Sequence, residues 1–311
     1  MVDHLDTDVA RVSIILEQAS TIKAGFSTLG IAENTSAMSY RDSLKADQDA
    51  LVHRIEAATG SKLDVVWNLT LAANLISANV RRGDIARIAE LDGVRSVAVE
   101  NRYTPDVVSV GGEYTTDMAV SGQMTGAGEA WLEGYTGAGS RVAVIDTGLD
   151  TDHQSFSAEA LAYALEQTGK TVQLMDAKDI VPVLEQLNAY RAMTEKGQTL
   201  TAEELYGNTK MPFNFNYVDG DLNVSHDFDD MGSHGSHVAG IAAANAFVSD
   251  GNGSFVPALE SVFTQGVAPD AQLLTMKVFG ADGGAYDSDF MAAIEDAIYL
   301  GCDSVNLSLG S

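Results

Sequence analysis

The chain has 311 residues, of which 45% are hydrophobic, with a mean hydropathy of zero, the balance of a protein that forms a core. Its net charge of −26 and pI near 4.3 exclude a nucleic-acid-binding surface, because a phosphate backbone would be repelled at long range, and disfavour a membrane surface for the same reason. Its single cysteine, Cys302, cannot close an internal disulfide, and no window reaches the ~18 consecutive apolar residues of a membrane span.

Residues 1–10, "MVDHLDTDVA", read as a disordered leader and lack the basic and apolar regions of a secretory signal. From "RVSIILE" (11–17) the pattern passes to a helix over 37–58. Strands "KLDVVWNL" (62–69) and "NLISANV" (74–80) follow, then a short helix near 84–91 and the strand "GVRSVAVE" (93–100). That β-α-β-β-α-β order predicts a ferredoxin-like sandwich, with two helices on one face of an antiparallel sheet, over 11–105. "NRYTPDVVSVGGEY" (101–114) has a proline, paired glycines and no helical period, so residues 106–133 are expected to be a linker and entry segment.

A different alternation begins at "GYTGAGS" (134–140). The apolar run "RVAVID" (141–146) is followed later by "AQLLTMKVF" (271–279), a helix over 287–300 and "CDSVNLSLG" (302–310). Apolar strands alternating with helices predict a doubly wound parallel sheet over 134–311. Residues 155–212 are polar, partly helical in composition and lack strand pattern, which suggests an insertion carried outside that sheet.

Asp146 ends an apolar strand and is followed by a Thr-Gly turn, and reactive groups of open α/β sheets gather at the carboxyl ends of strands. A turn-capping aspartate is the alternative. His234 precedes "GSHVAGIAAAN", whose small residues suit a helix packed closely on a sheet. A histidine at a helix N-terminus with a carboxylate in reach can take up and release a proton, as a general base must. His234 and His237 are three apart with glycine after the first, whereas a zinc helix spaces its histidines four apart with a glutamate beside the first. No metal is therefore expected, and His237 is expected to be a buried, hydrogen-bonded histidine.

Together, "VAVIDTGLD" (142–150), "HGSHVAGI" (234–241), "GVAPDAQLLTMKV" (266–278) and "SVNLSLG" (304–310) resemble the subtilisin-like serine proteases, in the order that family uses. The long spacer before His234 and "MPFNFNYVDGD" (211–221) are similar to the cell-envelope proteinases of Gram-positive bacteria. The resemblance implies Asp146 and His234 as triad aspartate and histidine, and Ser308, Leu309, Gly310 and Gly283 as substrate-pairing residues. It also implies that residues 11–105 are an inhibitory propeptide occupying the cleft, removed within 101–118, and that the protein works outside the cell or on its envelope.

The family's usual calcium-binding aspartate matches Ser155, so neither that site nor any cofactor is expected. Its nucleophile lies in a Gly-Thr-Ser-Met-Ala type stretch preceded by an oxyanion asparagine. Neither occurs in the 311 residues, and Ser233, Ser236, Ser308 and Ser311 sit at the wrong places to substitute. The expectation is the N-terminal part of a serine endopeptidase acting on polypeptides, with its serine beyond residue 311. The alternatives are a non-catalytic peptide-binding module using the same cleft, and a metal-binding protein. "SHDFDDMG" (225–232) further suggests an acidic rim formed by Asp227, Asp229 and Asp230 that would favour basic substrates.

Overall fold

The computed structural model describes residues 4–104, 122, 124–225, 228–229, 231–281 and 283–308. Most of the 101–118 window lies outside them. The chain divides into two compact units, residues 1–103 with 285–301, and residues 104–284 with 302–311.

In the first unit, strand β1 (Val9–Leu16) pairs antiparallel with β3 (Leu75–Arg81) and with β4 (Val94–Val99), and β2 (Asp64–Leu69) pairs antiparallel with β3. The resulting order, β2-β3-β1-β4, is the ferredoxin-like arrangement. Helix α1 (Thr35–Thr59) starts where the Asn34 side chain accepts a hydrogen bond from the Ala37 N–H and stops at Gly60, whose φ of 70° is left-handed. Alternation along β1 sends Ala10, Val12, Ile14 and Leu16 to one face, where they pack with Leu51 and Ile55 of α1 and with Ile88 of α2 (Ile85–Ala89).

The opposite face of β1 mixes Val9 and Ile15 with the polar Arg11 and Ser13, and Arg11 reaches the helix Asp287–Tyr299. Alternation of strand and helix patterns placed this helix with the second region; its contacts group it with the first. It is buried on nearly every side, and three of its polar side chains find partners on the sheet and the segment after β2. The Asp289 carboxylate accepts from Arg11 (2.6 Å) and from Trp67 Nε1 (2.8 Å), while Ser288 Oγ donates to Glu100 (2.8 Å). Glu295 accepts from the Leu71 N–H (2.7 Å) and the Ala72 N–H (2.8 Å). Burial pushes both acidic groups up in pKa, against the backbone and charged donors that pull them down.

In the second unit, β5 (Arg141–Asp146), β6 (Phe213–Asn216), β7 (Gln272–Lys277) and β8 (Ser304–Asn306) form a parallel sheet in the order β8-β5-β7-β6. Every residue of β6 and β7 is buried, as expected for strands covered on both faces. Val144 and Leu273 pack with Phe156, with Met211 and with Val238 and Ala239 of helix α4 (His234–Ala243). Residues 155–212, all of them described, hold four α-helices and no strand, the longest being α3 (Ala158–Gln167). A hairpin of Phe247–Ser249 with Phe255–Pro257 follows α4; it had no counterpart in the strand pattern of the sequence.

Lys210 enters this unit with its ammonium fully buried, donating to Pro269 O (2.8 Å) and Ala271 O (2.6 Å). Burial lowers its pKa to about 7, with Asp270 pulling the other way. Since the unfolded chain holds that proton up to its ordinary, higher pKa, folding releases it between these values, and stability must rise with pH through that window. The parent's stability relative to Lys210→Met is expected to increase by on the order of 2–4 kcal/mol between about pH 7 and 10. Denaturant melts at a series of pH values check this, and a difference that stays flat would contradict it.

Candidate active site

Parallel pairing sets Asp146 level with Lys277, and Lys277 level with Asn216, so three strand ends share one edge of the sheet. Asp146 is 1% exposed. Its Oδ1 accepts from the Thr147 N–H at 2.7 Å and lies 2.7 Å from His234 Nδ1. A carboxylate only accepts, so Nδ1 carries the proton and the lone pair sits on Nε2. The His234 side chain remains 35% exposed, which leaves the ring partly open to an incoming group. The other oxygen, Asp146 Oδ2, is buried and has no hydrogen-bond partner among the described residues.

Two glycines make that distance possible. Gly148 has a φ of 109°, and a Cβ there would run into the carbonyl of Val224; a Cβ on Gly235 would run into the carbonyl of Gly148. The turn after Asp146 and the first turn of α4 therefore touch backbone to backbone. Polar links close the contact: the Gly235 N–H donates to Thr147 Oγ1 (3.0 Å), the Asp150 N–H to Ser236 Oγ (2.8 Å) and the Leu149 N–H to Val224 O (2.9 Å).

The structure corrects two expectations. His237 is exposed, not buried. The inward side of α4 is marked by Gly235, Val238 and Ala239, and position 237 points roughly opposite, over a surface hollow of about 360 Å³ lined also by His153, Phe156 and Ile241. Asp229 does not contribute an acidic rim: its side chain is 4% exposed and lies 3.0 Å from the ammonium of Lys277, itself 0% exposed. Asp227 and Asp230 lie outside the described residues. Lys277 escaped the sequence reading; a lysine closing the otherwise apolar "QLLTMK" was its signal.

Of the other residues singled out, Ser308 is exposed, two residues past β8, with its Oγ donating to Asn306 Oδ1 at 2.9 Å. The β8–β5 register pairs Asn306 with Val144 and, continued, leads Ser308 toward Asp146. Gly283, with a φ of 72°, closes a turn on Gly280 O, and a Cβ there would meet Met231, three residues before His234. Leu309, Gly310 and Ser311 lie outside the described residues. Ser236 is committed to the Asp150 N–H, and Ser155 is buried. Among the described residues, no group of three or more His, Cys, Asp or Glu side chains could hold a metal ion.

A model of the subtilase family matches residues 137–311. The chain is 34% identical over 242 residues to the PI-type proteinase of Lactococcus lactis subsp. cremoris, covering 76% of this chain and 10% of that protein. It is 26% identical over 246 residues to the minor extracellular protease Vpr of Bacillus subtilis, covering 76% and 22%. Among solved structures, epidermin leader peptide processing serine protease (EpiP) of Staphylococcus aureus superposes with a TM-score of 0.51 at 15% identity, covering 97% of this chain and 50% of that one, a likeness of fold. The chain thus spans a tenth to about a fifth of the two curated relatives' lengths.

Glycine substitutions in α4 test the close approach. Gly235→Ala is expected to cost about 1–3 kcal/mol through the clash with the Gly148 carbonyl. Gly240→Ala, whose Cβ would meet nothing within 4 Å, is expected to gain up to about 1 kcal/mol of helix propensity. His237→Ala should change stability by less than about 0.5 kcal/mol. Thermal melts of the three variants check the order, which equal losses at 235 and 240 would contradict.

Proposed function

The chain belongs to the subtilase family of serine proteases, and on that premise we propose that it is the N-terminal part of an endopeptidase whose Asp146 and His234 are two members of an Asp/His/Ser triad. The observation that carries this reading is the 2.7 Å contact between His234 Nδ1 and the buried Asp146 carboxylate, which leaves Nε2 to accept a proton. The third member lies beyond residue 311.

In this reading the serine hydroxyl attacks the carbonyl carbon of the scissile peptide bond and its proton passes to His234 Nε2. Asp146 holds the ring in the tautomer that can receive that proton and stabilises the imidazolium that forms. The same proton then goes from Nε2 to the leaving amine, and a water, activated by the ring in turn, releases the acyl group and restores the serine. Ser308, Leu309, Gly310 and Gly283 pair with the substrate backbone. Residues 11–105 act as an inhibitory propeptide that occupies the cleft until it is cut away. The substrate is a polypeptide, and the protein works outside the cell or on its envelope, in keeping with the extracellular relative.

Reading the frame past codon 311 and expressing the longer protein tests the proposal. A Gly-Thr-Ser stretch with an upstream asparagine is expected there. A serine-reactive fluorophosphonate probe should label the longer protein and not the 311-residue chain. His234→Ala should abolish labelling and turnover, and Asp146→Asn should lower kcat by about 10⁴-fold. Labelling of the 311-residue chain at Ser308 or any other serine would overturn the assignment. A longer protein without a reactive serine would make the cleft a peptide-binding one.

A further inference from the structure

Lys277 is the last residue of β7 and stands level with Asp146 on the neighbouring strand. Its side chain is wholly out of solvent, yet it ends in an ammonium, which donates to the Thr147 carbonyl and lies 3.0 Å from Asp229 Oδ2. A pair of opposite charges in such a place gains little net stability over apolar side chains of similar size, because desolvation offsets the attraction. Its presence is better explained by what it fixes.

Thr147 is the point through which it acts. The Thr147 N–H donates to Asp146 Oδ1, its Oγ1 accepts from the Gly235 N–H at the start of α4, and its carbonyl receives Lys277. A single residue therefore touches the carboxylate, the helix bearing His234 and the ammonium. At the far end of the clip, Asp229 lies five residues before His234, and its Oδ1 accepts from the Met231 N–H at 2.9 Å, stiffening the segment that runs into the histidine. The ion pair thus grips both approaches to the Asp146–His234 contact: the turn that leaves the carboxylate and the loop that delivers the ring.

We infer that Lys277 and Asp229 are positioning residues for the Asp146–His234 pair, a clip that ties the turn after Asp146 to the loop before His234 and so holds ring and carboxylate in hydrogen-bond register. The inference rests on the reading of that pair as catalytic, but its geometry can be tested separately from turnover. Without the clip, the two segments would still meet through Gly148 and Gly235, and the sheet would still form. What would be lost is the fixed separation of Nδ1 and Oδ1.

The 311-residue chain, labelled with ¹⁵N-histidine, supplies the readout: the exchange with water of the Nδ1-bound proton of His234, identified by its loss in His234→Gln. In Lys277→Met/Asp229→Leu both charges are replaced by apolar side chains, so cooperative melting should survive while that proton exchanges about tenfold faster or more. An exchange rate within about twofold of the parent in the folded double variant would overturn the clip. Should the double variant fail to melt cooperatively, Asp229→Asn, which keeps size and an acceptor, decides by the same two limits. Faster exchange in these variants, combined with undiminished turnover of the longer protein carrying His234→Ala, would sink the catalytic reading and leave the clip standing.

Discussion

A ring and a carboxylate separated by 88 positions in sequence meet at 2.7 Å only if their backbones nearly touch, and that close approach is the constraint around which the second unit is arranged. Gly148 and Gly235 create it by lacking the atoms that would collide. The small residues that follow His234 let α4 lie against β5 and β7, with Val238, Ala239 and Ala243 in the core beneath. The parallel sheet, by aligning the ends of β5, β6 and β7, gives the contact a rigid base. Packing and chemistry are therefore coupled at Thr147, whose three polar groups serve the carboxylate, the helix and the buried ammonium at once.

The first unit rests on a different balance. One face of its sheet is apolar and packs on α1 and α2; the other sets Arg11, Ser13 and Ser77 among apolar side chains such as Trp67 and Leu75, and the helix Asp287–Tyr299 answers Arg11 and Glu100 there. Glu295 takes the place of a strand partner for the free N–H groups at Leu71 and Ala72, and Asp289 gathers Arg11 and Trp67. Hydrogen-bonded charges of this kind give little stability over an apolar contact but tolerate few alternative partners, so they specify which helix covers the face.

Much of this was legible in the amino-acid order. The period-2 pattern of "RVSIILE" and "NLISANV" and the long helical stretch between them fixed the ferredoxin-like order, because one face of each element is apolar and the other is not. Four short motifs were enough to single out Asp146 and His234. Periodicity reports a face and not its partner, so the pattern of 287–299 did not announce that Ser288, Asp289 and Glu295 would meet Glu100, Arg11, Trp67 and the backbone at Leu71 and Ala72. It also misjudged His237, which stands in a run of small residues although its own side points away from the core beneath α4. Asp229 looked like surface charge because its partner Lys277 lies 48 residues further on, at the end of a strand that reads as wholly apolar.

The buried Asp146 carboxylate selects which nitrogen of His234 carries the proton. The ¹⁵N shifts of the His234 ring, recorded where the imidazole is neutral, read this directly. A protonated Nδ1 and a bare Nε2 are expected, the form in which the ring donates to Asp146 and can accept from an attacking hydroxyl. A neutral ring protonated at Nε2, or one exchanging freely between the two forms, would contradict it.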